Sequence, residues 1–256
     1  GRSIAQALDL AIRCAGTSQK KNRWGGWRYN PDSTDADTSV TGAMLMGLLA
    51  ARNAGMDVPD ETVNAGLEYM RRSTGRDGSV AYSGGMGGMG ESMNRSAIAT
   101  LVAAVSKQKD ELKYPATLKQ LTSKLEHREG NYEEYFRYYM AQALFQGDYA
   151  SWQKWNAMTV RQLNESQQED GSFKGNSYST AMSLLALGLA ACAQPGGSSG
   201  DAAAPPPQLA AARPGTLVGD CESLTARLRL RLVPRYLMLA SLVAGLCLAA
   251  ASAWSA

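Results

Sequence analysis

The chain has 256 residues, 45% of them hydrophobic and 19% charged, with a formal net charge of +3. That length holds one large domain or two small ones with a sizeable core. The charge content excludes wholesale disorder, and the near balance of signs excludes a nucleic-acid binder held by a basic face. The averages conceal a break near Gln194. Residues 1–193 carry 21 Lys and Arg against 20 Asp and Glu, whereas residues 194–256 carry no lysine, five arginines, three acids and fourteen alanines. The cysteines (Cys14, Cys192, Cys221 and Cys247) are scattered without a CxxC pair, so four free thiols are expected rather than a zinc ribbon or disulfide scaffold. Gly1 stands where an initiator Met would be, with no basic-then-apolar leader behind it, and reads as the edge of a processed or cut piece.

In chain order, helices are predicted over 3–15, 38–54, 58–73, 92–107, 114–127, 132–146, 149–165 and 177–193. They alternate in character. Val63, Leu67 and Met70 line one face of the third, which Asp57 can cap, with Pro59, Asp60 and Glu61 in its first turn. Leu118, Leu121 and Leu125 do the same in the fifth. The even-numbered helices are apolar on most of their circumference, as in Val40 to Ala51 and Ala97 to Val105, which predicts burial on most sides. No segment alternates with period two, so strands are not expected. An outer row of amphipathic helices over an inner row of buried ones is predicted, an all-α array of helix pairs.

A turn signal recurs between the members of each pair: Gly25-Gly26-Trp27, Asp77-Gly78-Ser79-Val80, a degenerate Asn131-Tyr132 and Asp170-Gly171-Ser172-Phe173. Glycine permits positive φ and close backbone approach at the end of the outer helix. The large residue two positions later can then fold back as a plug between the layers. A glutamine upstream, as in Gln167-Gln168, can hydrogen-bond exposed backbone at the helix end.

Gln167-x-x-Asp170-Gly171-Ser172-Phe173, Gly25-Gly26-Trp27-Arg28-Tyr29 and the period of roughly 50 residues resemble the repeats of terpenoid cyclases and protein prenyltransferases, the prenyltransferase and squalene oxidase repeat family. The resemblance covers about residues 3–192. It implies the α/α toroid, in which inner and outer helices alternate around a ring. Four helix pairs make a partial toroid, open or truncated.

The resemblance also brings three chemistries, each with a residue requirement. Class II cyclases protonate an alkene from the middle acid of an Asp-x-Asp-Asp-Thr-Ala-type motif. The matching stretch here is Asp35-Ala36-Asp37-Thr38-Ser39, which puts Ala36 in the donor's place. Asp35 and Asp37 are the nearest catalytic candidates, and capping of the helix from Thr38 is the competing role for Asp37. Prenyltransferases hold zinc on Asp, Cys and His. The chain's one histidine, His127, is predicted at a solvated helix end, so no metal site and no cofactor are expected. The Cys-Gly-Glu-Gln-like sequence of complement-type thioester domains is absent.

Two stretches suit a ligand cavity. Tyr132, Tyr135, Phe136 and Tyr139 form a stripe on an inner helix that is either core or the wall of an apolar cavity fit for isoprenoids. Met86 and Met89, in a glycine-rich stretch lacking the Lys of a phosphate loop, mark either a flexible connection or a flap over that cavity. Glu133 and Glu134 are assigned only to the helix dipole.

Residues 194–235 read as a disordered Pro/Gly/Ala/Arg-rich linker and 236–254 as a transmembrane helix, nineteen uncharged residues with Tyr236 and Trp254 near its ends. Four arginines on the N-terminal flank place the repeat domain, 1–193, on the cytoplasmic side of a single-pass anchor. A non-native tail is the competing reading. The expectation is a catalytically degenerate, membrane-tethered repeat domain that binds an apolar ligand or a protein. The alternative is a fragment of an isoprenoid-handling enzyme.

Overall fold

A computed structural model of the chain describes residues 3–84, 92–110 and 113–193. Their secondary structure is helical, with only three isolated β-bridges besides. Eight α-helices run in order: α1 Ile4–Gln19, α2 Thr38–Asn53, α3 Asp60–Ser73, α4 Met93–Val105, α5 Tyr114–Thr122, α6 Glu133–Gly147, α7 Tyr149–Ser166 and α8 Ser177–Ala193. The chain divides into two compact units, with α1 to α5 in Gly1–Ser123 and α6 to α8 in Lys124–Leu237. The linker, the anchor segment, Met86 and Met89 lie outside the described residues.

In the first unit α2 packs against both α3 and α4, and α4 against α5. The α2–α4 contact is close, because a Cβ on Gly42 would stand 2.1 Å from Ile98 Cγ2. Val63, Leu67 and Met70 are the buried face of α3, while α4 buries Ala97 to Ala103 on every side. In the second unit α6 packs against α8, and α7 touches both. Among the described residues no helix is long and apolar enough to cross a membrane.

The helix starts are set by side chains. Ser3 and Gln6 form a capping box on α1, and Ser92 caps α4 through the N–H of Arg95. Several boundaries differ from the sequence reading. Helix α1 runs on to Gln19, past the expected end at Ala15. Helix α3 starts at Asp60 rather than under an Asp57 cap: Pro59 holds the cap position and its carbonyl takes the N–H groups of Thr62 and Val63. Helix α5 ends at Thr122, short of Leu125. The hydroxyls of Thr122 and Ser123 bond back to Lys119 O and Gln120 O, and Lys124 to Glu129 form a loop.

Candidate functional site

The repeated turns are alike in detail. Gly25, Gly78 and Gly171 have φ of +79°, +85° and +81°, each two residues before Trp27, Val80 and Phe173. At Gly78 a Cβ would fall 2.4 Å from Ala116 O, so this residue must be glycine for space as well as for conformation. In the first copy the left-handed residue is Gly25. Gly26 is needed for space, since its Cβ would meet Thr41 Oγ1 at 2.6 Å. Asp77 and Asp170 each accept the N–H of the serine two residues on, Ser79 and Ser172. Gln19 and Gln167 donate their amide N–H groups to Gly25 O and Gly171 O. Val80 and Phe173 each bridge back to the end of the preceding helix, to Thr74 and Gln167.

The plugs are buried, Trp27 at 2% and Phe173 at 6% exposure. Trp27 Nε1 donates to Ala15 O at 2.8 Å. The third copy departs from expectation. Gly130 is left-handed (φ +60°), yet Tyr132, two residues later, is 68% exposed. A 3-10 turn over Gly130–Tyr132 runs straight into α6, so Tyr132 takes near-helical angles instead of bridging back as an extended residue.

Each inner helix that follows an intact turn carries a hydroxyl four residues after its capping side chain. Asp37 is followed by Thr41, Ser92 by Ser96, and Asn176 by Thr180. Thr41 Oγ1 accepts the N–H of Trp27 at 2.9 Å and Thr180 Oγ1 that of Phe173 at 3.0 Å. The Ser96 hydroxyl reaches Gly78 O at 3.4 Å. The sequence reading missed this pairing.

At the stretch resembling an acid motif, Asp37 is buried and caps α2, its Oδ1 accepting the N–H of Val40 at 3.0 Å. Oδ2 is also buried and makes no hydrogen bond of good geometry. The Tyr82 phenol is held above its ordinary pKa chiefly by hydrogen bonding to Asp37 and then by its charge, a looser contact than the cap. Ala36 is 0% exposed, and its carbonyl takes the Tyr69 hydroxyl at 3.1 Å. Asp35 lies at the surface, paired with Arg28 at 2.7 Å.

The aromatic stripe is divided. Phe136 and Tyr139 are buried, Tyr135 is half-buried with its ring 4.8 Å from that of Tyr139, and Tyr132 is outside. Burial raises the Tyr139 phenol well above its ordinary pKa. His127 is half-buried rather than fully solvated, bonded to Glu129 at 2.7 Å and set edge-on to Phe136.

None of these aromatic residues lines the cavity found in the second unit, which has a volume of about 300 Å³. Its polar wall is the start of α6. Glu133 Oε1 takes Arg128 at 2.9 Å and Arg137 at 3.1 Å, and Oε2 takes the N–H of Glu129 at 2.8 Å. Glu134 is paired with Lys174 at 2.6 Å. Burial pushes the Glu134 carboxyl up, but the Lys174 hydrogen bond, a backbone N–H and the charges of Lys174 and Arg137 together outweigh it and leave the pKa below the usual range. Arg137 is pushed below its ordinary pKa by burial first, against the pull of Glu133. Leu163 and Phe173 form the apolar wall, and Ser183 of α8 closes the site with a buried hydroxyl that has no hydrogen-bond partner. Among the described residues no cluster of three or more His, Cys, Asp or Glu could hold a metal ion. Searches against protein-family models, curated proteins and solved structures find no match for the chain.

Proposed function

We propose that residues 1–193 are a squalene-cyclase/prenyltransferase-like repeat domain, a partial α/α toroid of four helix pairs that acts by binding rather than by catalysis. The observation that carries this reading is the state of the acid-motif stretch. A proton donor to an alkene must be a neutral acid facing an apolar cavity. Here the donor's position is Ala36, fully buried, and the neighbouring Asp37 spends one oxygen on capping α2. The repetition of one turn geometry before α2, α4 and α8 supports a helix-pair repeat whose shared feature is the scaffold.

The same reading tethers the domain to a membrane through 236–254, on the hydropathy of that segment. Incubation of the full chain with squalene and with geranylgeranyl diphosphate tests the first part, and both should be recovered unchanged. A cyclised or transferred product that disappears in Asp37→Ala would establish the isoprenoid-enzyme alternative instead. Carbonate extraction of membranes tests the tether, with the full chain expected in the pellet.

A further inference from the structure

The cavity beside α6 holds an imbalance of charge and of hydrogen bonding. Three cations, Arg128, Arg137 and Lys174, face two carboxylates, Glu133 and Glu134. Arg128 and Lys174 have side chains 51% and 61% exposed and are compensated by water. Arg137 is not: its side chain is 11% exposed, and it shares Glu133 with Arg128. A guanidinium carries five N–H donors in a fixed fork suited to a carboxylate, and Arg137 faces the cavity from α6 beside Glu133. Ser183 carries an unmet demand, since its hydroxyl is 1% exposed, lines the cavity and has no partner. A buried hydroxyl without a partner is uncommon enough to need a cause. Arg137 and Ser183 lie on facing helices, α6 and α8, while Leu163 and Phe173 supply apolar surface to the same space.

We propose that this cavity binds a small organic monocarboxylate, its carboxylate between the Arg137 guanidinium and the Ser183 hydroxyl and its apolar body against Leu163 and Phe173. The proposal rests on the reading of the chain as a binding domain and names the ligand class. A single surplus positive charge matches a monoanion, whereas a phosphate dianion would leave one charge unmatched beside Glu133 and Glu134. A volume of about 300 Å³ admits a ring or a short chain. Lys174 takes part from the rim. It follows the Phe173 plug with a left-handed backbone (φ 53°), and its ammonium holds Glu134.

Isothermal titration calorimetry on the full chain, with benzoate, benzamide and inorganic phosphate as probes, tests this assignment. Benzoate should bind, with benzamide at least about tenfold weaker for want of the charge-assisted bond. Phosphate should also be weaker than benzoate. Ser183→Ala removes a hydroxyl with no partner in the protein, so it should fold as the parent does and weaken benzoate about fivefold or more. Arg137→Gln should weaken it further, with circular dichroism confirming its helix content. Absence of benzoate binding, equal affinity for benzamide, phosphate binding as tight as benzoate, or an unaltered affinity in Ser183→Ala would each overturn the proposal. These outcomes are read by binding and leave the non-catalytic reading, which is read by turnover, to stand or fall separately.

Discussion

The N–H of Trp27 donates to Thr41 Oγ1 at 2.9 Å, so the plug at the first turn is tied to the helix it covers by a side chain one turn inside that helix. Phe173 and Thr180 repeat the relationship at 3.0 Å. Threonine is an unlikely choice for an apolar inner helix on propensity alone. At this position it solves a local difficulty, because the plug residue leaves the outer helix with a backbone N–H that no helix or sheet will take. Thr41 Oγ1 accepts that N–H and so allows Trp27 to enter the core without an orphaned donor.

Replacing Thr41 or Thr180 by valine keeps the volume and removes the acceptor. Each variant should lose about 1–3 kcal/mol, the cost of leaving a buried N–H unpaired. Serine at either position should retain most of the stability. Urea denaturation followed by helical circular dichroism measures both series. A valine variant as stable as the serine variant would show that water or another carbonyl takes the plug N–H.

Truncating the plugs should cost more. Trp27→Ala and Phe173→Ala each empty a buried aromatic site and should lose about 3–5 kcal/mol. Tyr132→Ala should change stability by less than about 0.5 kcal/mol, because that side chain is exposed despite its equivalent place in the turn. A large loss at Tyr132 would mean that the third turn is plugged after all.

The helix pairs were legible because hydrophobic periodicity and glycine spacing are local signals. So was the plug, since Gly25, Gly78 and Gly171 stand two residues before Trp27, Val80 and Phe173. The fate of Tyr132 was not. The same Gly-x-aromatic spacing occurs there, but Glu133 starts a helix at once and removes the extended residues that turn the ring inward. The Asp37–Thr41 spacing, repeated at Ser92–Ser96 and Asn176–Thr180, was present in the sequence but hidden, since hydroxyl residues on an apolar helix carry no periodicity of their own. The cavity in the second unit was hidden for another reason. Its charges come from the loop before α6, from α6 itself and from the turn before α8, and only folding brings Lys174 to Glu134. Each glutamate read alone is only a favourable residue at a helix start.

Asp37 gives a third prediction. If its role is to cap α2, Asp37→Ala should destabilise by about 0.5–2 kcal/mol, and Asp37→Asn should lose much less, since asparagine caps equally well. A stability in Asp37→Asn close to the parent's is therefore expected in chemical denaturation. A loss in Asn as large as in Ala would mean that the negative charge itself is required at this site.

The pH dependence of stability can be assigned a sign at Glu134. Burial pushes its folded pKa up, but the Lys174 hydrogen bond, a backbone N–H and then the charges of Lys174 and Arg137 together hold it below the ordinary carboxylate range. The Tyr178 phenol also faces it and is raised by burial and then by the Glu134 charge. A carboxyl depressed in the folded state contributes stability that is fully present above its unfolded pKa and is lost as pH falls through the folded one. The contribution of Glu134 is therefore constant near neutrality, begins to decline near the ordinary carboxylate pKa of about 4.3 and is lost as pH falls through the lower folded value. Asp77 and Asp170 titrate in the same direction, each lowered first by the side chain and then by the backbone of the following turn serine. The acid limb thus has several sources, and Glu134→Gln should make it shallower without abolishing it. Lys174→Met should remove the counter-charge and leave Glu134 buried with less compensation. Its stability should fall by about 1–2 kcal/mol at pH 7, discounted because Lys174 is largely exposed. It should fall less as pH drops through the range in which Glu134 protonates, where a neutral carboxyl no longer needs the pair. Thermal unfolding of the parent and both variants from pH 3 to pH 8 measures all of this. An acid limb as steep in Glu134→Gln as in the parent would remove Glu134 from the account.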